Sequence, residues 1–274
     1  MKNIYLNSSS RKFIDALTKK LPQSLMLSGD PGVGLGAIAG FIADAHDVRT
    51  TVILPEKDEK IDIEKGIIGV DLIRRLYDML KTKSSKRIIV IDYAERMTHQ
   101  SQNAFLKLLE EPNSGTHFIL LAHSTTGILP TIMSRVEEIK IKPISKSQTE
   151  KLLDSMGITD EKKRAQLLYI ASGLPAEIIR LAGDTTYFEK RSQIIRDAKE
   201  MLASNKYAKF QIAQKYKDDR PSALQLLGDM AKMLKANLTS HPSDTINKLD
   251  DILDAYQMIE SNCNIRLTLA RIIA

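Results

Sequence analysis

The first half of the chain alternates short apolar runs with longer amphipathic stretches, and this alternation ends after Pro143. Strands interleaved with helices produce such a pattern, which is typical of α/β folds. Two of the runs are apolar throughout, as expected of parallel strands covered by helices on both faces. The sequence therefore predicts a parallel sheet. Its candidate strands are 24–27, 51–54, 88–91, 118–121 and 139–141.

The second half is of a different kind. From Ser145 onward the pattern is almost wholly helical, with strong breaks at 172–175 and 183–186. A chain of 274 residues is also long enough that a single core becomes awkward. We therefore expect three domains: an α/β domain at 1–143, a small helical lid at 144–184 and a helical C-terminal domain at 185–274.

Composition excludes several classes of protein. No apolar run reaches the roughly 18 residues of a membrane helix, and the start lacks the apolar stretch of a signal peptide. The single cysteine, Cys263, cannot form an internal disulfide, and the five histidines lack the i, i+4 pairing of a metal site. The net charge of +6 is diffuse, so it permits an anionic partner without identifying one. We expect a soluble, cytoplasmic protein with no metal and no membrane partner.

One set of basic residues follows the second helical break. These residues could contact DNA, but acidic residues interrupt them, which favours a solvated helical face. The set comprises Lys190, Arg191, Arg196, Lys199, Lys206 and Lys209.

A glycine-rich segment, 28–37, follows the first predicted strand and opens a helix. This is the position of a phosphate-binding loop, in which glycines let backbone N–H groups converge on a phosphate at a helix N-terminus. Gly29 and Gly34 fill the glycine places of the pattern G-x-x-x-x-G-K-[ST], with Gly32 between them. All three are candidate nucleotide-binding residues. The alternative is a strand-to-helix turn that binds nothing.

Two places of the same pattern are substituted. Leu35 stands where a lysine neutralises the outer phosphates, and Gly36 stands where a hydroxyl holds Mg²⁺. The loop therefore keeps its backbone donors but loses a charge and a metal ligand. We expect catalysis to suffer far more than the shape of the loop.

The apolar strand at 88–91 ends in Asp92, where P-loop enzymes place the aspartate that supports Mg²⁺. Tyr93 occupies the next place, where hydrolases of this type carry a glutamate that polarises water. Glu95 is offset and should point elsewhere. Asp92 is thus a candidate cofactor-binding residue, with a helix N-cap as an equally good interpretation.

Four segments in the same order resemble the clamp-loader ATPases of DNA replication, which belong to the AAA+ superfamily. The helix ending in Leu-Glu-Glu-Pro and the Leu-Pro-Thr-Ile-Met-Ser-Arg-Val stretch carry most of the resemblance. The other two are similar to the entry of the helix before the acidic strand and to the last helix of the collar domain. The segments are 103–112, 129–136, 69–74 and 264–269.

Within that family the losses at Leu35 and Tyr93 resemble the delta-prime group. The resemblance implies a subunit that does not hydrolyse ATP, needs no cofactor, and braces a ring of gamma/tau-like ATPase and delta-like subunits. Its implied wider partners are the sliding clamp and primed DNA. It also implies that Arg135, supported by Ser134, is offered in trans to the ATP of a neighbouring subunit. The final helical domain would form a collar with sister subunits.

The chain departs from the family in three places, and three other assignments stay open. One departure is Val136, which replaces the cysteine that follows the arginine in relatives. Residues 40–86 contain no cysteine, so the four-cysteine zinc module of many relatives is absent, and Arg180 is offset from the nucleotide-sensing position of active relatives. An ATP-binding or weakly active ATPase is one alternative, against which Leu35, Gly36 and Tyr93 argue. The clamp-opening delta subunit is another, although it is not expected to retain Arg135. A helicase-loading ATPase would need an intact phosphate loop.

Overall fold

We describe a computed structural model of the chain, which covers residues 4–63, 65–81, 86–236, 242–261 and 263–273. It divides into two compact units, Met1–Arg180 and Leu181–Ala274. The finer division into three domains, with boundaries at 143 and 184, stays a prediction.

The first unit is built on a five-stranded parallel sheet with the order β2-β5-β6-β1-β7. Every strand predicted from the sequence overlaps one strand of this sheet, so the predicted α/β class is confirmed. A short antiparallel hairpin, β3–β4, was not predicted. The strands are β1 Ser24–Ser28, β2 Thr50–Ile53, β3 Glu56–Lys57, β4 Lys60–Ile61, β5 Arg87–Ile91, β6 Thr116–Ala122 and β7 Glu137–Lys140.

Helices cover both faces of this sheet, because alternate residues of the central strands point to opposite sides. The helices that begin in this unit are α1 Ser8–Leu17, α2 Leu35–His46, α3 Val70–Leu80, a 3₁₀ turn Ala94–Arg96, α4 His99–Glu110, α5 Pro130–Met133, α6 Lys146–Ser155, α7 Glu161–Ala171 and α8 Pro175–Gly183. Ile88 and Val90 join the core beneath α1 and α2, whereas Ile89 and Ile91 join the core beneath α3 and α4.

The topology gathers three loops at one edge of the sheet. Strands β5, β6 and β1 are neighbours and run in the same direction, so the segments after Ile91, Ala122 and Ser28 emerge side by side. In open parallel sheets ligands bind at this carboxyl edge. The glycine loop and Asp92 therefore lie at the same edge of the sheet.

The second unit is helical, as predicted, and its core lies between α9, α11 and α12 with α10 and α13 packed beside them. Leu227, Met230 and Ala231 on α11 are buried in this core. The helices are α9 Thr185–Ala203, α10 Lys206–Lys215, α11 Arg220–Ala236, α12 Pro242–Glu260 and α13 Ile265–Ile273. Within the described part of the chain, no helix combines the length and apolar character that crossing a membrane requires.

One residue of the basic set contradicts its interpretation as a solvated face. Arg191 is buried with 6% of its surface exposed, and its guanidinium contacts both carboxylate oxygens of Asp229, at 2.8 and 3.3 Å. Buried charges need such a partner because their transfer out of water is costly. The prediction of a solvated face was wrong for Arg191, because its partner Asp229 lies on another helix and is distant in the sequence.

Candidate nucleotide site and exposed arginine

The glycine loop adopts a backbone that only glycine accepts easily. Gly32 and Gly34 have φ angles of +92° and +94°, in the left-handed region that side chains disfavour. A Cβ added to Gly32 would also lie 3.0 Å from the Cβ of Glu177 on α8. The backbone of the loop therefore requires glycine at 32 and 34, and at Gly32 the close approach of α8 requires it as well. At Gly29 a Cβ would lie 2.8 Å from the carbonyl oxygen of Ile141, so the segment that follows β7 requires glycine there.

The first turn of α8 is hydrogen-bonded to this loop. The backbone N–H groups of Ala176 and Glu177 donate to the carbonyl oxygen of Gly32, at 2.9 and 3.2 Å. First-turn N–H groups have no partner within their own helix and commonly bind anions. Here two of these N–H groups donate to the loop itself, so hydrogen bonds hold the start of α8 against the loop.

Leu35 lies at the lysine place of the phosphate-loop pattern and is directed into the protein. Only 3% of its surface is exposed, and it belongs to the same apolar core as Val33 and Leu174. P-loop ATPases have a cationic side chain at this position. In this chain the position holds a buried leucine in the same core as Val33 of the loop and Leu174 before α8. Gly36, at the hydroxyl place, has open space around it.

Asp92 follows β5 directly, and its carboxylate accepts a 3.0 Å hydrogen bond from the backbone N–H of Tyr93. Burial raises the pKa of Asp92, and this hydrogen bond and the charge of His123 partly offset the effect. The interpretation of Asp92 as a helix N-cap is wrong, because Tyr93 is the residue that precedes the 3₁₀ turn. Tyr93 has a φ of +56°, an uncommon conformation for a residue with a bulky side chain.

His123 joins this cluster, which the sequence did not predict. Its ring Nδ1 lies 3.1 Å from the carbonyl oxygen of Gly29, and its ring meets that of Tyr93 edge to face at 5.4 Å. The guanidinium of Arg96 covers the Tyr93 ring at 5.2 Å. His123 follows β6 as Asp92 follows β5. This shared position after neighbouring strands is the signal from which the location of His123 could have been predicted.

Burial raises the pKa of Tyr93, and the charge of Asp92 adds to the effect. Nearby positive charges oppose it, first Arg96 and to a lesser degree Arg180 on α8. Arg180, to which the sequence gave no nucleotide-sensing role, therefore lies near the place where Tyr93 replaces a glutamate.

Arg135 lies two residues beyond α5, with 36% of its side chain exposed. Its Nη1 donates to the carbonyl oxygen of Thr131 at 3.0 Å and to Oγ of Ser134 at 3.3 Å. Its Nη2 lies 2.8 Å from a carboxylate oxygen of Glu110, the last residue of α4. The arginine is therefore held in place by two helices and still faces solvent.

Metal-binding groups do not cluster in the part of the chain that the structure describes. Among these residues, which exclude His241, no group of three or more histidine, cysteine or acidic side chains could hold an ion.

Part of the chain is similar in sequence to a known protein family. A family described as "DNA polymerase III, delta subunit" matches residues 46–145. The delta-prime subunit of DNA polymerase III from Pseudomonas aeruginosa is 30% identical over 155 residues, which cover 55% of this chain and 45% of that protein. The Bacillus subtilis delta-prime subunit is 29% identical over 114 residues, covering 42% of this chain and 34% of that one. The chain thus spans less than half the length of each of these relatives.

A solved structure extends the likeness of fold over almost the whole chain. A DNA polymerase III gamma subunit-related protein from Thermotoga maritima superimposes with a TM-score of 0.55 at 18% identity. The match covers 96% of this chain and 97% of the other. At this identity the likeness concerns the fold alone.

The parallel sheet, with the glycine loop after β1 and the acidic residue after β5, has a fold of the AAA+ type. The sequence matches relate the chain to the delta-prime subunits of DNA polymerase III and, more widely, to replication factor C subunits.

Proposed function

We propose that this chain is a non-hydrolysing subunit of a DNA polymerase III clamp loader. In this role it braces a ring of ATPase and delta-like subunits in the cytoplasm and acts on the sliding clamp and primed DNA through the assembled complex. It offers Arg135 to the ATP of a neighbouring subunit and needs no nucleotide or metal of its own.

The burial of Leu35 carries the first part of this proposal. A P-loop ATPase uses the lysine at this place to neutralise the outer phosphates. A buried leucine cannot provide that charge, and Gly36 cannot provide the Mg²⁺ ligand. Tyr93 likewise cannot act as the carboxylate that polarises water. Three of the groups that hydrolysis requires are therefore replaced in one site.

The exposure of Arg135 supports the second part. A guanidinium that approaches the outer phosphates from an adjacent chain neutralises charge as it develops in the transition state. Such a residue must be solvent-facing in the free subunit and must be held in a defined orientation. Arg135 meets both requirements, since 36% of its side chain is exposed and three contacts hold its guanidinium.

Reconstitution tests the proposal. The purified chain should show no Mg²⁺-dependent ATP turnover on its own. It should enter one complex with the clamp-loader ATPase and delta subunits of the same organism, and clamp loading should require it. Turnover approaching about 1 per second by the chain alone would favour an active ATPase instead. Direct binding of the isolated chain to the clamp would favour the delta subunit.

A further inference from the structure

Glu110 occupies a position that helix stability does not explain. It is the last residue of α4, where the exposed carbonyl groups carry partial negative charge and disfavour a carboxylate. Its side chain is 48% exposed and that of Arg135 is 36% exposed, so their ion pair adds little to the stability of the fold. The ion pair of Glu110 with Arg135 therefore points to a role in holding that guanidinium.

The contacts of Arg135 fix the plane of its guanidinium. Thr131 and Ser134 hold Nη1 from the side of α5, and Glu110 holds Nη2 from the end of α4. Anchors on two helices restrain the group in two directions, whereas a free arginine side chain samples many rotamers. A guanidinium has five N–H donors, so three contacts leave donors for an incoming anion.

We propose that Glu110 is a positioning residue that holds Arg135 ready for a phosphate of the neighbouring subunit. This proposal rests on the function proposed above for Arg135. Without Glu110, the guanidinium would spend less time in the productive orientation when the transition state forms. The neighbour's own affinity for ATP would not change, because Glu110 contacts neither that subunit's phosphate loop nor its nucleotide.

A double-mutant cycle on the reconstituted complex tests the proposal. Glu110→Ala should lower the rate of ATP hydrolysis about tenfold at the one site that Arg135 adjoins while KM at that site stays unchanged, since loss of orientation slows the chemical step. In a background of Arg135→Ala, the same substitution should have no further effect. Glu110→Gln, which keeps a hydrogen-bond acceptor, should retain part of the rate. The matched control is Glu111→Ala, the adjacent exposed carboxylate, which should leave kcat unchanged.

The outcomes separate this proposal from the function on which it rests. If Arg135→Ala lowers the rate and Glu110→Ala does not, the positioning role is wrong and the function stands. An equal loss from Glu110→Ala with and without Arg135 would also overturn the positioning role, because Glu110 would then act elsewhere. If Arg135→Ala has no effect on an assembled complex, the role proposed above for Arg135 fails together with the positioning role of Glu110. Thermal unfolding of each variant establishes that the chain still folds.

Discussion

The backbone N–H of Ala176 donates a 2.9 Å hydrogen bond to the carbonyl oxygen of Gly32, which joins the first turn of α8 to the glycine loop. Two first-turn N–H groups of α8 are satisfied by the loop, and Leu35 lies in the same apolar core as Leu174, the residue before α8. Hydrogen bonds and apolar packing therefore join the loop to the start of α8.

Two glycines of the loop should respond to alanine in opposite ways. Gly32→Ala forces a left-handed backbone and a 3.0 Å contact with Glu177, so it should lower the free energy of unfolding by about 2 kcal/mol. Gly36→Ala meets open space in α2 and should raise it by about 0.5 kcal/mol. Urea unfolding measures both. Equal effects of the two substitutions would contradict both the left-handed backbone at Gly32 and its close contact with α8.

Restoring the phosphate-loop pattern should carry a stability cost. Leu35→Lys combined with Gly36→Thr brings an ammonium into a buried apolar site, so the variant should lose about 2 kcal/mol or more. Mg²⁺-ATP should raise its melting temperature, because the restored groups bind phosphate. Hydrolysis should still be missing, since Tyr93 provides no carboxylate. Turnover approaching about 1 per second would contradict this account of the site.

Asp92→Asn should change the pH dependence of stability. Burial raises the pKa of Asp92 above the ordinary 3.8, so the folded protein holds a proton that the unfolded chain releases. This contribution to stability is full below the unfolded pKa and is lost as the pH rises through the folded pKa. The asparagine does not titrate and still accepts from Tyr93.

The Asp92→Asn variant should therefore gain stability relative to the original chain as the pH rises from acid toward neutral. Urea unfolding of both chains across this range measures the difference. A variant that loses stability relative to the original over the same range would mean that the folded protein favours the ionised carboxylate.

The buried ion pair of the second unit should be sensitive to the loss of one partner. Asp229→Ala leaves Arg191 charged and buried, so it should cost about 3–5 kcal/mol. Replacing both residues, with Arg191→Met and Asp229→Leu, should recover much of this loss. The control is Asp78→Ala, which removes an exposed ion pair with Lys81 and should cost less than about 1 kcal/mol. Similar costs at both sites would contradict the burial of Arg191.

The elements that could be predicted from the sequence are those with local signals. Apolar runs placed the five parallel strands, and glycine spacing placed the loop with Gly32 and Gly34. The break before Pro175 marked the start of α8, because proline is favoured in the first turn of a helix.

The features that could not be predicted depend on contacts between distant segments. Arg191 is buried because Asp229 lies beside it, 38 positions away. His123 meets Gly29 because β6 and β1 are neighbours in the sheet. Each strand of the hairpin β3–β4 has only two residues, which are too few to show an alternating pattern.

The ATPase rate of the reconstituted complex tests whether Arg135 acts on the ATP of a neighbouring subunit. Arg135→Ala should leave assembly intact and lower the DNA-stimulated rate, with the loss confined to the one ATP site that this arginine adjoins. Arg135→Lys should recover little, because an ammonium lacks the planar donor fork. The control is Arg74→Ala, which removes another exposed arginine that is paired with a carboxylate, Asp71. We expect a loss of rate with Arg135→Ala and almost none with Arg74→Ala. Equal losses from both substitutions, or an unchanged rate with Arg135→Ala, would contradict it.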